Sequence, residues 1–118
     1  MTTGTTTVEV RQLSPGASAI EVSGDVTAAS EGPLMDAYAS ASGTGAKVII
    51  LDFGGLDYMN SGGIGLLVTL LVRVQRQGQR LMAVALSEHY RQILALTRLD
   101  EAIAIHATAA DALAAAGV

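Results

Sequence analysis

Apolar and polar residues alternate twice near the start of the chain, in "VEVRQL" and again in "AIEVSGDV", which is the two-residue period of strands with one buried face. Between them lies "SPGA", where Pro15 presets one backbone dihedral and Gly16 permits a positive one, so the two runs read as a hairpin. The first strand is expected over Thr7 to Leu13, and residues 1–6, which precede the alternation, are expected to be a flexible N-terminus.

The period then lengthens. Leu34, Ala37, Tyr38 and Ala41 follow the three-four spacing of a helical stripe, with Ser30 as the expected cap, Pro33 in the first turn and "GTGA" as the stop after about Ser42. "KVIILDF" carries four consecutive large aliphatics and suits a central strand covered on both faces. A second helix is expected from Gly62 to about Gln77, with Ile64, Leu67, Val68, Leu71 and Val74 on its buried face and Gly78 at its end. At about 100° per residue Leu66 and Leu70 fall off that stripe, so either a neighbouring helix or a partner protein covers them. "RLMAVAL" reads as another buried strand, Ser87 as the cap of "EHYRQILALT", "AIAIHA" as a short strand and Thr108 as the cap of "AADALAAA". This order predicts an α/β fold: a mixed sheet of about five strands, an N-terminal hairpin followed by parallel strands, packed with four helices.

Composition narrows the picture. A chain of 118 residues fits one domain, expected over 7–118, and with 50% hydrophobic residues but 3% aromatics its core must be aliphatic. There is no Cys, and His89 and His106 have no recognisable ligand partner in sequence, so neither a metal nor a cofactor is expected. The net charge of -4 has the wrong sign for counterion-driven binding to nucleic acid, and Arg73, Arg76, Arg80 and Arg91 read as a solvated helix end and the following strand. No apolar run approaches the roughly 20 residues that cross a bilayer. Nor does "MTTGTTTVEV" have the basic start and apolar middle of a signal peptide, which makes a cytoplasmic protein without membrane insertion the expectation.

Candidate chemistry gathers in "YMNSGG", residues 58–63, at the expected junction of the central strand and the second helix. Ser61 lacks the G-x-S-x-G elbow and a base nearby in sequence, so a hydrolase is not indicated and no enzyme is expected. Gly54, Gly55, Gly62, Gly63 and Gly65 form a glycine-rich stretch before a helix, a setting that can hold phosphate, but no P-loop motif is present; a nucleotide-binding sensor stays open as an alternative. Asp52 ends its strand as a receiver-type phospho-acceptor does, yet the paired acids and the lysine of that chemistry are missing. Two compatible roles remain for Ser61: a helix N-cap, and a covalent phosphate switch whose small neighbours give a kinase access.

"VSGDV", "KVIILDFGGLDYMNSGGIGLL" and "RLMAVALSEHYRQILALTRLDEAIAIHATAADAL" together resemble a STAS domain of the anti-sigma factor antagonist family over nearly the whole chain. The most specific part is the D-S-[ST]-G-[LI] signature, met here by Asn60, Ser61, Gly62, Gly63 and Ile64. The resemblance implies a non-enzymatic switch that binds an anti-sigma factor serine kinase and so frees a sigma factor. It implies that phosphorylation of Ser61 ends the binding and that a PP2C-type phosphatase restores it. The implied contact surface comprises Asp25, Tyr58, Met59, Asn60, Ser61, Gly62, Gly63 and Leu66. Asn60 stands where the family usually has Asp, and Gly62 where it usually has Ser or Thr. The alternative within the same fold is a STAS adaptor whose serine is not cycled, in a signalling scaffold or as the soluble subunit of a lipid transporter.

Overall fold

A computed structural model describes residues 5–43 and 45–118. The hairpin is present: β1 (Thr6–Ser14) pairs antiparallel with β2 (Ala17–Val26). β3 (Val48–Met59), β4 (Arg80–Val84) and β5 (Ala104–His106) then add in parallel, giving a five-stranded sheet in the order β1-β2-β3-β4-β5. The helices are α1 (Glu31–Ser42), α2 (Ser61–Arg76), α3 (Glu88–Leu96) and α4 (Ala109–Ala116). The expected mixed sheet and four helices are thus the observed architecture.

Alternation within the strands divides the interior in two. Ile49, Leu51 and Phe53 of β3 face a large cluster built with α1, α2 and α3, while Val48 and Ile50 face a smaller one closed by Ala112 of α4. Because both faces are covered, β3 reads in sequence as a continuous aliphatic run rather than an alternating one.

Several local expectations need correction. Ser30 holds the N-cap position of α1 as expected, but its side chain makes no capping bond there; it is also the third residue of a 3-10 turn, Ala28–Ser30, whose N-cap is Thr27, and the Thr27 and Ser30 side chains bond reciprocally to each other's backbone end as a capping box. Of the segment expected to be flexible, residues 1–6, the Thr5 carbonyl accepts from the Asp25 amide at 3.2 Å and Thr6 opens β1. Residues 1–4 of that expectation lie outside the described residues. The central strand does not end near Phe53: β3 continues through Gly54 and Gly55 to Met59, so there is no glycine-rich loop. It can do so because β2 outruns β4, and two register shifts, between Glu21 and Ser23 and between Gly24 and Asp25, absorb the extra length of β3.

Candidate functional site

One residue, Asn60, separates β3 from α2, and it is Asn60 rather than Ser61 that caps the helix. Asn60 has extended backbone, φ -101° and ψ -174°, and its Oδ1 accepts from the Gly63 amide at 3.0 Å. Its own amide donates to the Val26 carbonyl at 3.3 Å, and its carbonyl accepts from Ile64 at 3.0 Å, which locks the turn to β2 on one side and to α2 on the other. Ser61 becomes the first helical residue and is exposed. The two roles left on Ser61 by the sequence are therefore divided: the neighbour caps, and the serine hydroxyl stands at the positive end of a 16-residue helix.

The ends of β2 and β3 build the surroundings. Asp25 is the rung partner of Tyr58, and Val26 that of Met59. Asp25 is half-buried and Tyr58 is 49% exposed, so a carboxylate and a phenol flank the turn that carries Ser61. The Asp25 carbonyl is held from below by the Thr6 and Ser30 hydroxyls, and the Ser30 hydroxyl also accepts from the Thr27 amide at 3.0 Å. On the far side the Met59 amide, which has no β4 residue to meet because β4 stops at Val84 opposite Asp52, donates to the Tyr90 hydroxyl of α3 at 2.8 Å.

Two glycines set how closely α2 approaches. A Cβ on Gly63 would lie 2.5 Å from the Val26 carbonyl oxygen and 2.7 Å from Met59 Cγ, and one on Gly62 would lie 2.8 Å from the Ala28 backbone nitrogen. Gly62, the departure from the Ser or Thr of the family signature, thus matches a 3-10 turn pressed directly against the first turn of α2.

This contact also fixes the rotation of α2. Its buried residues are Gly63, Leu66, Leu67, Leu70, Leu71 and Val74, while Val68, expected inside, is 43% exposed. Leu66 and Leu70 are covered by the protein's own core, 6% and 0% exposed, so no partner is needed to cover them. Of the residues named for the contact surface, Met59, Gly63 and Leu66 are buried and support the site from beneath; Asp25, Tyr58, Asn60, Ser61 and Gly62 reach its surface.

Other candidates settle differently. The Asp52 carboxylate accepts from the Gly54 amide, two residues on within β3, at 2.9 Å. His89 lies edge-on against Tyr90, ring centroids 4.8 Å apart. Among the described residues no three His, Cys, Asp or Glu side chains converge as a metal site would require, and no helix is long and apolar enough to cross a membrane. Sequence reasoning missed Thr6, Thr27, Ser30 and Tyr90 as supports of the site. Thr27 and Ser30 have the spacing of a capping box but Ser in place of its usual Glu or Gln, and nothing in sequence announces a tyrosine that bonds 31 residues back.

A family model described as "Mlab, STAS domain" matches residues 10–114. The chain belongs to the STAS domain family. Its fold matches an anti-sigma factor antagonist from Mycobacterium paratuberculosis, with a TM-score of 0.74 and 24% identity over 96% of this STAS chain and 93% of that one. It also matches the anti-sigma factor antagonist SpoIIAA in its unphosphorylated form, TM-score 0.71 and 17% identity over 93% and 97% of the two chains. The Bacillus SpoIIAA in its phosphorylated form matches with a TM-score of 0.71 and 18% identity over 93% and 99%. This STAS domain therefore shares its fold with anti-sigma factor antagonists.

Proposed function

We propose that this STAS domain is an anti-sigma factor antagonist controlled by phosphorylation of Ser61. Unphosphorylated, it binds an anti-sigma factor that is also a serine kinase and so frees a sigma factor. Phosphate on Ser61 ends the binding, and a PP2C-type phosphatase restores it. The protein itself performs no catalysis. The observation that carries this reading is the exposed Ser61 at the first position of α2, with its capping duty taken over by Asn60. A phosphoserine there adds about 1.5 to 2 negative charges beside free helix amides that can hold it, on a rim that already bears Asp25, and an acidic partner surface would be repelled.

The test is chemical. Incubation with the cognate kinase and ATP, followed by peptide mass spectrometry, is expected to place phosphate on Ser61; phosphate elsewhere, or none, overturns the proposal. In binding measurements Ser61→Ala is expected to keep its affinity and resist release, and Ser61→Asp to weaken binding by about tenfold or more, one lost or opposed charged contact being worth about 1.5 to 3 kcal/mol. Equal affinities would remove the electrostatic mechanism.

A second reading is favoured by the "Mlab" description of the matching family: an adaptor or soluble transporter subunit in which the serine is never cycled. Under that reading Ser61 carries no phosphate in cells, and the protein co-elutes with an ATPase in a large assembly.

A further inference from the structure

Where β4 ends at Val84 and β5 at His106, β3 runs on to Met59, and the offset opens a cavity of about 320 Å³ at the carboxyl ends of three parallel strands. α/β sheets commonly take ligands at this end, and the volume lies at the small end of ligand sites, which span about 300 to 1,000 Å³. One wall is apolar: Phe53 is buried, and Leu56 and Leu86 are half-buried against the main core. Arg91, His106 and Ser87 are among the other residues that line it. Among the described residues no acidic side chain lines it, in a chain whose net charge is -4. Glu88 reaches Arg91 only at 4.0 Å with both side chains more than half exposed, a pair too solvated to neutralise the guanidinium. Ser87 accepts from the Tyr90 amide at 3.4 Å through its oxygen, which leaves its O–H available to donate.

We propose that this cavity, whose lining includes Tyr90 but neither Asn60 nor Ser61, binds a small organic anion: a carboxylate or phosphate headgroup paired with Arg91 and His106, on an apolar body of about one ring that packs against Phe53, Leu56 and Leu86. Arg91 supplies the fixed charge and the planar fork that suit such a headgroup. The ring-sized wall supplies selectivity for an organic anion over a bare one.

Titrating isotope-labelled protein with phenyl phosphate and following backbone amide resonances tests this. Saturable shifts are expected at Gly54, Ser87, Arg91 and Ala107, with weaker binding of inorganic phosphate and no saturation by benzylamine, a cation of similar size. Arg91→Gln is expected to weaken phenyl phosphate about tenfold or more without changing the melting temperature, because the Arg91 side chain is 59% exposed. His106→Gln should weaken it as well. The proposal is overturned by non-saturating shifts, by shifts that map elsewhere, by equal binding of benzylamine, or by unchanged affinity in both variants.

Discussion

At the scale of single residues, the site turns on Asn60 and Gly62, the two positions where the family signature is altered. Asn60 supplies a neutral acceptor to the Gly63 amide at 3.0 Å, a task for which Asn and Asp are equally suited. Asn60→Ala is therefore expected to lower unfolding free energy by about 1 kcal/mol, whereas Asn60→Asp should stay within about 0.5 kcal/mol of the parent. Urea unfolding midpoints check both, and an Asn60→Ala protein as stable as the parent would mean that the cap contributes nothing. Gly62 is set by contact, since the nearest atom to an added Cβ is the Ala28 backbone nitrogen at 2.8 Å, which cannot swing aside as a side chain could. Gly62→Ser, which restores the family residue, is expected to destabilise by about 1 to 3 kcal/mol. A stable Gly62→Ser protein would show that the 3-10 turn yields easily.

Among the elements, α3 acts on the Ser61 turn without touching it. The end of β3 outruns β4, and the Tyr90 hydroxyl takes the place of the missing strand for the Met59 amide. Tyr90→Phe leaves a buried N–H without its partner, at an expected cost of about 1 to 3 kcal/mol. Native-state hydrogen exchange is expected to show faster exchange at Met59 and Asn60 than at the central β3 residues; unchanged protection would mean that water or a shift of β3 replaces the phenol. The rotation of α2 belongs to this scale too. Two overlapping aliphatic stripes are present in its sequence, one through Ile64 and Val68 and one through Gly63, Leu66 and Leu70, and the apolar periodicity of α2 serves either. The second wins because Gly63 allows the helix to lie against Val26 and Met59, and only that rotation buries the Leu66 and Leu70 pair.

For the molecule as a whole, the sheet is covered unequally. Three helices close the larger core, but the second face depends on α4, eight residues long and mostly alanine. A network from Tyr38 to Gln79, and from Gln79 to Ser42 and the Ala46 carbonyl, ties the end of α1 to the approach to β4 on the larger side. Ala112 is fully buried at the centre of the smaller side. Ala112→Asp would bury a carboxylate there and is expected to cost at least about 3 kcal/mol, read as a lowered denaturation midpoint with loss of α4 protection. Retained stability would show that α4 can leave the sheet at little expense.

The order of elements, the hairpin, the double-sided burial of β3 and the caps at Ser87 and Thr108 were legible in the chain, because each depends on spacing within about ten residues. Ser61 was legible as the centre of the candidate site for the same reason. What depended on distant segments was not: how far β3 extends, which residue caps α2, which stripe of α2 turns inward, and why position 62 is glycine. The reach of β3 follows from its pairing with the longer β2, and the rotation of α2 and the glycine at 62 from the contact of α2 with the end of β2 and the Ala28–Ser30 turn, where a Cβ on Gly63 or Gly62 would lie 2.5 or 2.8 Å from the facing backbone. Local pattern specifies what a segment can form. Only the close approach of elements remote in sequence selects the register, the rotation and the cap that leave Ser61 exposed.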